Sequence, residues 1–430
     1  MNMKEKFIKS TLILLIGGFL TKLLGMLIKI VITRNIGLKG ISLYMLVLPI
    51  FSLFISLGQI GLPVALSRLV AIDDYNNKKL YFSIIPLVIL YNVILTIIII
   101  ISAGFISNYL FRNKDLYYSI VAIGLVIPFT TISSICRSYF FGKEKMWPHI
   151  LSNIVEDLIR LLFAFFILPK FSFLNIKYLV FSIIIINVIS EAFSTLVLIF
   201  FLPNKMALKD FDFSYNGDYV SDAMKIAIPV ISSNLLGNIV YFLEPIILTN
   251  IFLMLGYTLN YVTTEYGIIT GYVIPLLLMP SFFTMAISQA ILPYIAREYK
   301  LNNLNNIKKR INMILFFILL VGSIICIIFE LFGNYLLLYI YKTGFGFNYL
   351  RILAPFCILQ YIQAPIVNSL NAMGKSKDIF FVSLITSFFR ITSLIFFSIL
   401  KIGIFSYIFS MIFNILLNTF LLYRRLYSYL

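Results

Sequence analysis

The sequence predicts an all-α polytopic membrane protein. Twelve transmembrane helices are expected, in two six-helix lobes related by a pseudo-two-fold axis along the membrane normal. Three observations carry this. The 430 residues are 61% hydrophobic and only 12% charged, whereas a soluble domain is roughly half apolar and about a quarter charged. The apolar residues come in runs of about 20, each able to cross about 30 Å of hydrocarbon as a helix. The runs form two sets of six that echo one another in order.

The expected spans lie near residues 10–34, 41–70, 80–108, 116–141, 147–169 and 177–202, then 221–252, 264–297, 308–333, 347–373, 377–400 and 403–424. Residues 1–9 are basic, but the stretch that follows is long, lacks an A-x-A-like site and leads into another span. No signal peptide is therefore expected, and the first span is retained. The polar stretch 206–220 reads as a cytoplasmic linker between an N-terminal six-helix lobe, 1–205, and a C-terminal one, 221–430.

The repeat is visible in short matches. Leu23-Leu24-Gly25 recurs as Leu235-Leu236-Gly237. Leu62-Pro63 with Arg68 and Asn76-Asn77 recurs as Leu292-Pro293 with Arg297 and Asn302-Asn303. Gly142-Lys143 recurs as Gly374-Lys375. Six is even, so both halves insert the same way round. Eleven prolines fall within the spans away from their ends, at 49, 63, 86, 128, 229, 245, 275, 280, 293, 355 and 365. Each removes a backbone donor and tends to kink its helix, which suits a bundle that rocks as well as one that is only shaped.

The net charge of +17 does not mark a nucleic-acid binder, because the cations are scattered over short loops and span ends. The termini and even-numbered loops hold 19 Lys and Arg, and the odd loops hold 8. Both termini are therefore expected in the cytoplasm, with the chain a multi-pass membrane protein. Cys136, Cys326 and Cys357 lie in apolar runs without metal-ligand spacing and read as small buried hydrophobes. His149, the only histidine, follows Trp147-Pro148 at a helix start and reads as interfacial. No metal site is expected.

Chemistry rests on the few charges kept at membrane depth, where a lone ion costs about 2.5–3.5 kcal/mol. Gly18, Lys22, Gly25 and Lys29 are spaced four, three and four apart, so small residues and cations share one face of the first span. That face can wall a cavity for an anion. Equally, Lys29 can snorkel and Lys22 can pair with a carboxylate elsewhere. Glu156, Asp157 and Arg160 share the fifth span, and Glu156 can pair with Arg160 four residues on. Arg390 is the counterpart of Arg160 in the second half, with no acid nearby in sequence. Arg351 opens the tenth span and reads as snorkelling. Glu244 precedes Pro245 deep in the seventh span. It fits a proton or Na⁺ site, or a counter-ion for Lys22 or Lys29. Glu191 and Glu330 lie nearer helix ends. No nucleotide, hydrolase or metal signature appears, so neither a resident cofactor nor an ATP-driven step is expected.

Lys22-Leu23-Leu24-Gly25 with Lys29, Gly37, Gly40 and Tyr44, then Gly61-Leu62-Pro63-Val64-Ala65 with Ser67, resembles the opening of the stage V sporulation protein B family. Arg137-Ser138-Tyr139-Phe140-Phe141-Gly142 followed by Met146, Pro148, Ser152, Glu156 and Arg160 resembles that family's fourth and fifth helices. Tyr266-Gly267, Gly271-Tyr272, Pro275-Leu276, Pro280 and Leu292-Pro293 match in the second half. That family belongs to the multidrug/oligosaccharidyl-lipid/polysaccharide flippase superfamily, whose members often have fourteen spans. The twelve here fit a short branch. Basic residues that lipid II flippases carry in the second and eighth helices have no counterpart around Ser52 and Pro275.

The resemblance implies an alternating-access flippase, not an enzyme, that exports an undecaprenyl-pyrophosphate-linked saccharide such as a peptidoglycan or spore-envelope precursor. Lys22, Lys29, Arg160 and Arg390 would hold the diphosphate. Glu244 and Glu156 would serve as coupling or counter-ion residues, with Na⁺ or H⁺ coupling open. Moving two negative charges outward across an inside-negative membrane yields about 4–5 kcal/mol per 100 mV. The partners expected are the lipid-linked cargo and membrane lipids, with no nucleic acid and a monomeric state. Two alternatives stand beside this: a cation-coupled multidrug extruder on the same fold, and a membrane-embedded glycosyltransferase.

Overall fold

The computed structural model describes residues 3–72, 75–171, 173–203 and 216–430, with side chains described from residue 16 onward except at 233, 290 and 293. Most of the expected 206–220 linker lies outside the described residues. Among the described residues the chain is helical, without strands.

The helices are α1 (Met3–Gln59), α2 (Leu62–Ala71), α3 (Asn77–Phe105), α4 (Tyr117–Gly142), α5 (Met146–Leu162), α6 (Ile176–Phe201) and α7 (Gly217–Met254). They continue as α8 (Leu259–Ile268), α9 (Ile274–Leu278), α10 (Ser281–Lys300), α11 (Leu304–Tyr341), α12 (Phe347–Ala372), α13 (Ser376–Ile399) and α14 (Phe405–Tyr427).

Among the described residues nine helices are long and apolar enough to cross a membrane, and a tenth crossing is the pair Leu259–Leu278 and Ser281–Lys300, bent by 48°. Physical reasons bring the count to twelve. The apolar run Ile16–Gln59 spans 44 residues, about 66 Å of helix, twice what one crossing needs. It is broken at Gly37, whose φ of 64° and ψ of −171° no helix contains. Glycine reaches that conformation without a steric penalty. The other is α5, only 17 residues long and carrying Glu156, Asp157 and Arg160. The widened turn Phe163–Ile167 prolongs it.

The chain forms two compact units, Met1–Phe242 and Leu243–Leu430, and α7 contributes to both. In the first unit α4 is the central helix, packed on α6, α3, α2 and α1. Ile120, Ala122, Ile123, Val126 and Ile127 on it are fully buried. Asn92 of α3 donates to Val88 O at 2.8 Å and to Gly58 O at 3.3 Å, and accepts from Thr131 of α4 at 3.2 Å. That junction leaves no buried polar group of Asn92 stranded. In the second unit α12 takes the central place, packed on α11, α10 and α14. The pairings α3–α4, α2–α4, α4–α6 and α5–α6 thus recur as α11–α12, α10–α12, α12–α14 and α13–α14. The same neighbours in the same order are the structural counterpart of the sequence echoes.

A ring of arginines and carboxylates beside a cavity in the first unit

α6 is a mostly apolar helix that carries Asn187, Ser190, Glu191 and Ser194, spaced three, one and three. Those positions share one face at 3.6 residues per turn. On α4, Thr130, Ser133 and Arg137 form a similar stripe. On α5 the charges are Glu156, Asp157 and Arg160. Packing of α5 and α4 on α6 turns these stripes toward one another.

The result is a closed four-membered ring. Glu156 bridges the two arginines, through Oε2 to Arg137 and through Oε1 to Arg160. Glu191 does the same, Oε2 lying 3.1 Å from Arg137 and Oε1 3.7 Å from Arg160. Ser194 accepts from Arg137 at 2.7 Å and Ser190 from Arg160 at 3.2 Å. Both bridging carboxylates are below one-tenth exposed, at 9% and 7%. Two positive and two negative charges cancel, which is what burial of ions requires. Asp157 is left over. Its only charged partner among the described residues is Arg160, at 3.8 Å.

The ring borders a cavity of about 370 Å³. Arg137, Asp157, Arg160, Asn187 and Glu191 supply its polar wall, and Ile28, Ile32, Phe51 and Ile55 of α1 its apolar one. Such a size and mix suit a small polar group of a ligand.

The residues predicted from the sequence are distributed as follows. Arg160 lines the cavity and Glu156 closes the ring behind it. Lys22 and Lys29 do not line it, although Gly25 between them does. Lys22 is exposed and Lys29 half-buried. A side chain built at Gly18 or Gly25 meets nothing within 4 Å, so their shared face is open, as it is at Gly237. Among the described residues no carboxylate stands within ion-pair distance of the Lys29 ammonium. Arg390 is in the second unit and does have an acid. Glu244 pairs with its Nε through Oε1 and accepts from its terminal nitrogen at 2.9 Å through Oε2. Glu244 is 1% exposed, so its partner is Arg390 rather than Lys22 or Lys29. Arg351 is held by Glu330 at 2.7 Å instead of reaching past the helix end alone. Arg137 and Glu191 join the site although the sequence alone does not assign them to it. The signal was the helical spacing of polar residues on α4 and α6.

No group of three or more His, Cys, Asp or Glu placed to hold a metal ion occurs among the described residues. Cys357 is buried, and Cys136 and Cys326 are half-buried, all as free thiols.

A bundle of kinked crossing helices with charges neutralised at depth beside a cavity defines a membrane transporter. Solved structures bear out the fold. The chain matches an inward-facing multidrug resistance MATE family transporter of the MOP superfamily with TM-score 0.71 and 14% identity, covering 95% of each chain. It matches a MOP superfamily transporter from Pyrococcus furiosus Vc1 with TM-score 0.60 and 14% identity, covering 99% of this chain and 96% of that one. The model described as polysaccharide biosynthesis protein matches residues 7–299, and one described as MatE matches 245–396.

This chain belongs to the polysaccharide biosynthesis protein family, in the branch of stage V sporulation protein B. It is 30% identical to stage V sporulation protein B of Bacillus subtilis (strain 168), over 91% of this chain and 78% of that protein. Sporulation protein YkvU of the same organism is 24% identical over 88% and 85%. The lipid II flippase MurJ of that organism is 25% identical over 47% and 40%. Its family and fold place the chain with flippases and transporters rather than with enzymes.

Proposed function

We propose that the chain is an alternating-access flippase that exports an undecaprenyl-pyrophosphate-linked saccharide, a peptidoglycan or spore-envelope precursor, across the bacterial cytoplasmic membrane. The termini then lie in the cytoplasm, in keeping with the bias of Lys and Arg. Lys29 carries the reading: a half-buried ammonium in an apolar helix, without a carboxylate among the described residues, on a face left open by Gly18 and Gly25. An ion at that depth calls for an anion from outside. The diphosphate supplies it, with Lys22 on the same face. The cavity beside Gly25 accepts the sugar, whose hydroxyls meet Asp157 and Asn187 and, at higher energy, Arg160. Arg390 stays with Glu244 and steadies the second unit. The membrane potential drives export of the anionic head.

The test is translocation of a fluorescent prenyl-diphosphate saccharide by purified protein in liposomes. Lys29→Ala should slow it by about tenfold or more, the worth of one charge-assisted contact. Lys29→Arg should retain most of it. Equal rates for wild type and the Lys22→Ala, Lys29→Ala double variant sink the proposal.

Asp157 favours a second reading, a cation-coupled drug extruder. It is a carboxylate on the cavity wall in excess of the arginines. Expression that protects cells against lipophilic cations, and loses that effect in Asp157→Asn, would favour extrusion over lipid export.

A further inference from the structure

The second unit carries basic side chains that the transport cycle above does not use. They lie where α10, α12 and α14 end and where α11 and α13 begin. These corners alternate with the opposite ends of the crossing helices, so they share one membrane face. Packing knits them together. The Tyr427 hydroxyl bonds Asn312 at the start of α11. Lys308 stands 5.9 Å from the Tyr427 ring, and Lys375 is 4.3 Å from the Tyr429 ring. Tyr429 donates to Asp378 at 2.6 Å.

Beside them Tyr294 holds two arginines. The guanidinium carbons of Arg297 and Arg310 each lie 5.8 Å from the centre of its ring. Arg297 is 70% exposed, and Arg310 is exposed too. The nearest acid is Glu298, 3.4 Å from Arg297 and itself buried. Asn303 donates to its other oxygen at 3.1 Å and Asn306 at 3.5 Å, so that carboxylate is turned into the fold. Arg310 has no acid partner among the described residues.

We propose that Tyr294 positions Arg297 and Arg310 as a site for the phosphate diester of an anionic membrane lipid. Two planar donor forks against one ring match phosphate oxygens, and stacking restrains them before the ligand arrives. Loop cations of the ordinary topological kind need no such support. The lipid is favoured over free phosphate by what surrounds the pair. Leu301, 61% exposed, follows Arg297 at the same turn. Tyr423 and Tyr427 stack at 4.2 Å nearby on α14. Apolar and amphipathic side chains beside a cation pair are what the headgroup layer meets.

The experiment uses the purified full chain in neutral detergent. Short-chain phosphatidylglycerol and phosphatidylcholine with the same acyl chains are titrated, and bound lipid is counted by native mass spectrometry. Phosphatidylglycerol should bind preferentially. Arg297→Gln with Arg310→Gln should weaken it by about tenfold, on the scale of lost charge-assisted bonds, while the melting temperature without lipid stays unchanged. Lys300→Gln with Lys309→Gln, on the same face but away from the ring, should leave affinity nearly as it was. Tyr294→Phe should behave as wild type and Tyr294→Ala should not. Three results would overturn the site: equal loss in the lysine pair, which is a general field; competition by millimolar inorganic phosphate as strong as by the lipid, which is a plain anion site; or a strong preference for a prenyl diphosphate, which makes it a cargo entry point.

Discussion

Arg160 on α5 and Arg390 on α13 occupy matching helices of the two units, yet their charges are met in different ways. Arg160 shares Glu156 and Glu191 with a second arginine, and Asp157 remains over. Arg390 has one carboxylate, Glu244, which is 1% exposed. The first arrangement distributes each charge over two partners beside a cavity. The second is a buried pair in which each charge meets a single opposite charge, with the Tyr407 hydroxyl as a further neutral neighbour of Glu244. A repeat can therefore keep an arginine at the same place and give it opposite duties: the shared network can exchange partners with a ligand, and the isolated pair only holds helices together.

The sharpest way to break this contrast is to remove Glu244. Taking one member from a buried ion pair strands the other and costs about 3–5 kcal/mol. Glu244→Ala should therefore lower the melting temperature of detergent-purified protein more than any single change in the first unit. A double variant, Glu244→Leu with Arg390→Leu, should recover most of the loss, since an apolar pair leaves no buried charge. If Glu244→Ala melts like wild type, the pair is not what binds α7 to α13 in the second unit.

Arg137→Ala comes next. It removes one arm of the ring, but Arg160 still faces both Glu156 and Glu191. The expected cost is about 1.5–3 kcal/mol, that of hydrogen bonds to charged groups. Thermal melts of Arg137→Ala and Arg160→Ala should be similar, because the ring is nearly symmetrical. A much larger loss in one would show that the carboxylates depend on that arginine alone, and the first unit would resemble the second.

The fold was legible from the sequence because hydrophobic length is a physical requirement of the bilayer. Gly37 and the charges of α5 hide two crossings from a test of length and apolarity, yet both were readable as spans between turn signals. The pair Glu156 and Arg160 was legible because four residues on one helix fix the distance. Glu244 with Arg390, 146 residues apart, was not, since nothing local specifies which helix comes alongside. Arg137 could have been found from its stripe with Thr130 and Ser133. Its partners on α5 and α6 required the packing. Lys22 and Lys29 were predicted to wall a cavity. Their helix face is open and meets the cavity only at Gly25, while Ile28 and Ile32, which also border it, lie one register step around α1.

The smallest expected effect on stability separates the two regions most finely. Asp157 lines the cavity but stands outside the neutral ring, 3.8 Å from Arg160. Asp157→Asn keeps the shape and removes a charge whose one charged partner among the described residues, Arg160, already meets two other carboxylates. Its stability, read from thermal melts, should fall by about 1 kcal/mol or less, since the contact with Arg160 is long at 3.8 Å. Transport should change instead, because an amide still bonds sugar hydroxyls but cannot hold a cation. Retained export with stable folding would assign Asp157 to cargo contact, and lost export with stable folding to a charge-dependent step. If Asp157→Asn melts as early as Arg137→Ala, the carboxylate belongs to the ring after all. The first unit would then hold no spare charge, and its difference from the second would be one of size alone.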